Sequence, residues 1–143
     1  MMRKLSVFLG LVWLLAACSG AGTETAVSKA EQITCTVAYR SSVSVGIERE
    51  ETLTFGDVDA EQTAVFDEMT FHAALDAGGA DNERNLRLWI TDTGETVLHA
   101  ILYQFEMDSG PQNQFVGGHG FTGLNYSYAP NATAELQFWC EAK

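Results

Sequence analysis

LRLWITDTGETVLHAILYQFEM, from Leu86 to Met107, is the stretch that decides the fold class of this chain. Leu86, Leu88 and Ile90 alternate with Arg87, Trp89 and Thr91. Successive strand side chains point to opposite faces, so this period of two marks a half-buried strand. Asp92-Thr93-Gly94 supplies a turn, and Val97 to Met107 returns, which predicts a β-hairpin. The return strand is apolar on both faces, through Val97, Leu98, Ala100, Ile101, Leu102, Tyr103 and Phe105. Such a strand is expected to be central in a sheet and covered on both sides.

The same period extends outward. Ile33, Cys35, Val37 and Tyr39 share one face of a first strand. Val43, Val45, Ile47, Leu53 and Phe55 hold odd positions in a second segment, one bent strand or two short ones, because Arg49 and Glu51 interrupt. Asp57 to Thr63 reads as a polar turn; Val65, Met69, Phe71, Ala73 and Leu75 then line a third segment. A loop follows from Asp76 to Asn85. After the hairpin, glycines 117, 118, 120 and 123 lead into Leu124–Tyr128, and a last strand runs from Thr133 to Glu141 with Leu136, Phe138 and Cys140 on one face. Seven to eight short strands with regular turns and no amphipathic helix predict an all-β fold. The expected architecture is an antiparallel β-sandwich or flattened barrel.

Two cysteines tie the ends of that fold. Cys35 and Cys140 each lie on the apolar face of a strand, one in the first and one in the last. An even pair outside a reducing compartment forms a disulfide, and neither a CxxC spacing nor a nearby histidine suggests metal instead. The bridge requires the first and last strands to lie side by side or to face each other across the core.

The N-terminus supplies the address. Met1-Met2-Arg3-Lys4 is a short cationic segment, and Leu5 to Ala17 is apolar apart from Ser6 and Gly10. That matches a signal-peptide core, and it falls short of the roughly 20 apolar residues needed to span a bilayer. Leu15-Ala16-Ala17-Cys18 closely resembles the lipobox of bacterial lipoproteins. The resemblance covers only residues 1–18. It implies cleavage before Cys18 and lipidation of its thiol, so that the membrane is a partner through the N-terminal lipid. Ser19 resembles the signal that sends such proteins to the outer membrane in Gram-negative cells; otherwise the outer face of the cell membrane is implied. Residues 1–17 are then the signal peptide, 18–32 (beginning SGAGTETAVSKAEQ after Cys18) a flexible tether, and 33–143 the folded domain. Cleavage removes Arg3 and Lys4, leaving six basic against nineteen acidic residues. Nucleic acid is excluded as a partner, because phosphate binding needs a basic face.

Chemistry-bearing residues are sparse. Asp57, Asp59 and Glu61 alternate as oxygen donors, a weak calcium candidate without the glycine and distal glutamate of a calcium loop. His119 stands among glycines that permit close backbone approach, although such runs more often mark bulges and bends. Trp89 and Trp139 point away from their strands' aliphatic faces. With Tyr126 and Tyr128 nearby they would form an aromatic platform for a sugar ring or a protein surface. GxSxG and HExxH are absent, and no thiol is left over. The reading is a lipid-anchored, extracytoplasmic binding or interaction module of the cell envelope, needing no cofactor, with an envelope protein or a glycan as its partner. A carbohydrate-binding domain is the alternative, and an extracellular hydrolase comes last.

Overall fold

The computed structural model describes residues 32–56, 60–76, 84–105, 111–115, 117–130 and 132–143. Residues 1–31, Cys18 among them, and Asp57 and Asp59 lie outside the described residues. Eight strands form: β1 (Ile33–Arg40), β2 (Arg49–Phe55), β3 (Ala60–Val65), β4 (Met69–Asp76), β5 (Asn85–Asp92), β6 (Val97–Gln104), β7 (Asn125–Tyr128) and β8 (Glu135–Ala142). They build two four-stranded sheets, one in the order β2-β1-β8-β7 and the other β3-β4-β5-β6. Every pairing is antiparallel.

Alternation sends one face of each strand into the space between the sheets. Ile33, Cys35, Val37 and Tyr39 face inward from β1, and Leu136, Phe138 and Cys140 from β8; Phe71 with Leu86, Leu88 and Ile90 face them from the other sheet. The Phe71 and Phe138 rings meet across the core with centroids 5.2 Å apart. Burying each such side chain stabilises by about 1.5–3 kcal/mol, so this two-layer contact dominates the stability of the domain.

β1 and β8 are neighbours, with Cys35 directly opposite Cys140. Their sulfurs are bonded, and the Cα atoms stand 4.0 Å apart. The expected first-to-last disulfide is therefore a cross-strand bridge on the inner face, with both cysteines fully buried. Beyond it, Gln32 and Lys143 exchange backbone hydrogen bonds of 3.2 and 2.7 Å, which join the two ends of the described chain.

Three local readings need correction. Among the described strands β6 is at the edge of its sheet, not central. Val43, Val45 and Ile47 sit in an exposed loop before β2, held by a Val45 N–H to Ser42 carbonyl bond. Of the turn expected over Asp57 to Thr63, residues 57–59 lie outside the described residues, while Glu61, Gln62 and Thr63 belong to β3; a further turn follows at Phe66–Met69, where the Phe66 N–H donates to the Met69 carbonyl. In the β5–β6 turn the Asp92 carboxylate accepts from the N–H groups of Gly94 and Thr96 at 2.8 and 2.9 Å. The left-handed residue there is Glu95, with φ 62°.

Tyr39 ties the sheets together at one end. Its ring stacks on Phe66 at 5.2 Å, and its hydroxyl donates to the Glu68 carboxylate. Burial and then Glu68 push the Tyr39 hydroxyl above the ordinary tyrosine range. Burial pushes Tyr103 the same way, and the bond to Glu135 raises Tyr128. A raised native pKa means that the folded state holds its proton longer than the unfolded state does. The associated stability is fully present below the usual tyrosine pKa of about 10 and is lost as pH climbs above it. Urea midpoints measured from pH 8 to 11 are expected to hold steady and then fall beyond pH 10. In Tyr39→Phe, which keeps the ring and removes the hydroxyl, the fall should be shallower; an identical fall would remove Tyr39 from the account.

Candidate functional site

The outer face of the β2-β1-β8-β7 sheet gathers most of the aromatic residues singled out by the sequence. On β8, Glu135, Gln137 and Trp139 point outward, opposite to Leu136, Phe138 and Cys140. Tyr126 lies opposite Gln137 and Tyr128 opposite Glu135. Trp139 is thus the diagonal neighbour of Tyr126, a separation of roughly 7–8 Å in an antiparallel pair. Tyr126 and Tyr128 are 43% and 57% exposed, and Trp139 is half-buried.

One end of this face rests on a buried carboxylate. Glu135 is only 2% exposed although it lies on the outer side. Arg40 on β1, its cross-strand neighbour, reaches it at 2.7 Å, and the Gln137 amide donates to it at 2.8 Å. The Tyr128 hydroxyl also bonds to it, which raises the Tyr128 pKa. The charge is matched and hydrogen-bonded on each side, which is the condition for burying it without a large penalty.

The other end rests on the glycine-rich segment. Four of its glycines, 117, 118, 120 and 123, have positive φ. The decisive one is Gly120, where a Cβ would lie 2.0 Å from the Cys140 carbonyl oxygen. Close approach brings the segment along β8 past the end of β7. The Phe121 N–H donates to the Cys140 carbonyl at 3.0 Å, and the Cys140 N–H donates to Thr122 Oγ1 at 2.7 Å. Asn113 then imitates a strand: its side-chain NH₂ donates to the Ala142 carbonyl at 2.7 Å and its oxygen accepts the Ala142 N–H at 2.9 Å. The segment thereby occupies β8's backbone groups from Cys140 to Ala142 and sets the His119 ring edge-on to Trp139, 5.3 Å between centroids. The positive-φ glycines bend the segment back on β8 and place His119 beside the aromatic group.

Trp89 is not part of that group. It sits on the outer face of the opposite sheet, across the core. His72 stacks on it at 4.8 Å with planes 7° apart, and the Arg87 guanidinium lies 4.8 Å from its ring centroid. Its ring is therefore already in contact with neighbours from its own sheet, and the expected Trp89–Trp139 platform does not form. Glu61 faces His72 Nδ1 at 3.5 Å. Among the described residues no group of three or more His, Cys, Asp or Glu side chains is placed to hold a metal ion.

The sequence reading missed two features. Phe115 is 48% exposed, and its ring lies 3.2 Å from where a Gly123 Cβ would stand. The second was legible throughout: in a chain with nineteen acidic residues, no Asp, Glu, Lys or Arg occurs from Ser109 to Ala134. That charge-free stretch carries His119, Phe115, Tyr126 and Tyr128. Aromatic faces beside a carboxamide bind by stacking and hydrogen bonding. Compared with family models, curated proteins and solved structures, the chain matches none.

Proposed function

We propose that this chain is a lipid-anchored, extracytoplasmic binding module of the bacterial cell envelope, and that its contact surface is the outer face of β7 and β8. The observation that carries the reading is the collection of Tyr126, Tyr128 and Trp139 on one face, bordered by a charge-free segment in an otherwise acidic domain. Exposed aromatic groups on a face whose carboxylates, Glu135 and Glu141, are each paired with a cation (Arg40 and Lys143) favour contact with a neutral partner, because apolar area leaves water without breaking those pairs. The lipobox-like Leu15–Cys18 supports the anchor. A sugar ring is the ligand class this surface suits best: Trp139 and Tyr126 offer stacking faces, and Gln137 between them offers a donor and an acceptor to hydroxyls.

Glycan-array binding of the exported protein tests the surface. Tyr126→Ala/Trp139→Ala is expected to weaken binding at least tenfold, the loss of about 1.4 kcal/mol of stacking. Trp89→Ala should leave binding unchanged. Binding that survives the double substitution would move the site elsewhere; no glycan binding at all would leave a protein partner, sought by crosslinking in the native envelope. The anchor is tested separately, since Cys18→Ala should release the chain from membranes and abolish incorporation of labelled fatty acid.

A further inference from the structure

β6 has the sequence of a buried strand and the position of an edge. Edge strands offer unpaired backbone groups to any passing chain, and proteins protect them with charge, brevity or cover. The other three edges of this sandwich follow that rule. β2 carries Arg49, Glu50 and Glu51; β3 carries Glu61; β7 is only 4 residues long. β6 has 8 residues, VLHAILYQ, and no charge among them. Val97 and Leu102 are 57% and 61% exposed on its outer side. On its inner side Leu98, Ile101 and Tyr103 are only partly buried, while Leu86, Leu88 and Ile90 on β5 are at most 1% exposed.

The hydrogen-bond pattern shows what the edge presents. The Phe105 N–H donates to the Arg84 carbonyl, which makes that pair a hydrogen-bonded one. Continuing the register, Tyr103 and Ile101 exchange bonds with Leu86 and Leu88, and Leu102 and Ala100 fall in the alternate pairs opposite Arg87 and Trp89. The N–H and C=O groups of Ala100 and Leu102 therefore point away from β5, along the open edge. The same two side chains, with Ile101, Arg87, Asn85 and Asp76, line a depression of about 440 Å³ beside that edge, and Asp76 of β4 is the one acid in that lining.

We propose that this edge is a dimerisation surface, on which β6 of a second copy of the chain adds antiparallel and joins the two β3-β4-β5-β6 sheets into one. The occupant must be an extended, apolar, uncharged segment, and β6 is itself such a segment. An antiparallel edge meets its own copy about a two-fold axis with the same donors and acceptors facing, the self-complementary arrangement of a closed dimer. Charge narrows the choice further. Each copy carries a net charge of −11 as translated, so two copies approach best along a line where neither brings acid. From Thr96 to Phe105 there is none. Pairing would also cover Leu102 and the half-open inner side of β6 at once.

A photoreactive benzophenone amino acid at Leu102 tests this in the full chain, expressed with two different epitope tags in its own membranes. Irradiation is expected to give an adduct of twice the chain mass that carries both tags. Ala100→Pro removes an edge N–H without touching a bond to β5 and should reduce that adduct at least tenfold while the melting temperature of the purified protein is retained. Ala100→Lys, which places charge on the same edge, is expected to do likewise and decides the matter if the proline variant does not fold. No adduct, an adduct only to another protein or to lipid, or a two-tag adduct that persists in the folded variant would overturn the proposal.

Discussion

Replacing Cys35 and Cys140 together with alanine is expected to lower the melting temperature by about 20 °C. The bridge joins residues 105 apart. A cross-link closing a loop of roughly 100 residues removes about 4.7 kcal/mol of unfolded-chain entropy at 25 °C. A domain of this size shifts by about 4 °C for each kcal/mol, which gives the figure. Native contacts change little, because β1 and β8 remain paired on both sides of the position, from Ile33–Ala142 to Arg40–Glu135. The effect therefore acts through the unfolded state, and spectra of the folded variant should match those of wild type. Access makes a second demand. Both cysteines have zero exposure, so a thiol reductant must wait for the sandwich to open. Under native conditions the bridge should resist dithiothreitol, and it should reduce readily in denaturant. If exported protein alkylates at Cys35 and Cys140 before any reduction, the bridge is not formed in the cell.

The correct and the missed readings divide along a physical line. Periodicity reports which side chains share a face, and here it was reliable: the inward sets of β1, β4, β5 and β8 are the alternating residues of the sequence. Position in a sheet is set by long-range pairing, which alternation does not encode. β6 is apolar on both faces and was expected to be central, yet β5 is its only partner among the described strands. The same blindness joined Trp89 to Trp139. Each points outward from its own strand, as the pattern said, but β5 and β8 belong to different sheets and the two outward directions are opposite. Cysteine chemistry escaped this limit because a covalent bond carries long-range information, and of the two arrangements it allowed, β1 and β8 adopt the side-by-side one. At Val43–Ile47 the period of two was present without a strand. Alternation in a short segment does not guarantee a partner, and the Ser41 N–H turns to the Glu48 carboxylate at 2.5 Å instead. That bond holds the Glu48 carboxyl below the usual range.

Gly120→Ala should cost about 3–5 kcal/mol, and Gly118→Ala only about 1, although both glycines have positive φ. The difference separates backbone conformation from close approach. An alanine at φ 81° in Gly118 meets no atom within 4 Å, so its cost is the left-handed conformation alone. At Gly120, φ 58°, the added carbon would stand 2.0 Å from the Cys140 carbonyl oxygen and 2.6 Å from Glu141 Cα. Both are backbone atoms of β8, held from the other side by β1 and the disulfide, so the glycine-rich segment is what has to move. Moving it forfeits the Phe121 bond to Cys140 and the Thr122 bond from it, and the bonds of the Gln114 and Phe115 N–H groups to the Gly120 carbonyl. Each lost bond is worth about 0.5–1.5 kcal/mol, and a Cys140 N–H left buried and unpaired costs more. Thermal melts should therefore place Gly120→Ala some 12–20 °C below wild type and Gly118→Ala within about 5 °C of it. The substitution should reach the proposed contact surface too, because displacing the segment takes His119 away from Trp139. Glycan binding is expected to fall in Gly120→Ala even well below its melting temperature and to persist in Gly118→Ala. Equal melting temperatures for the two variants would mean that β8 and the segment do not approach as closely as the Gly120 geometry requires.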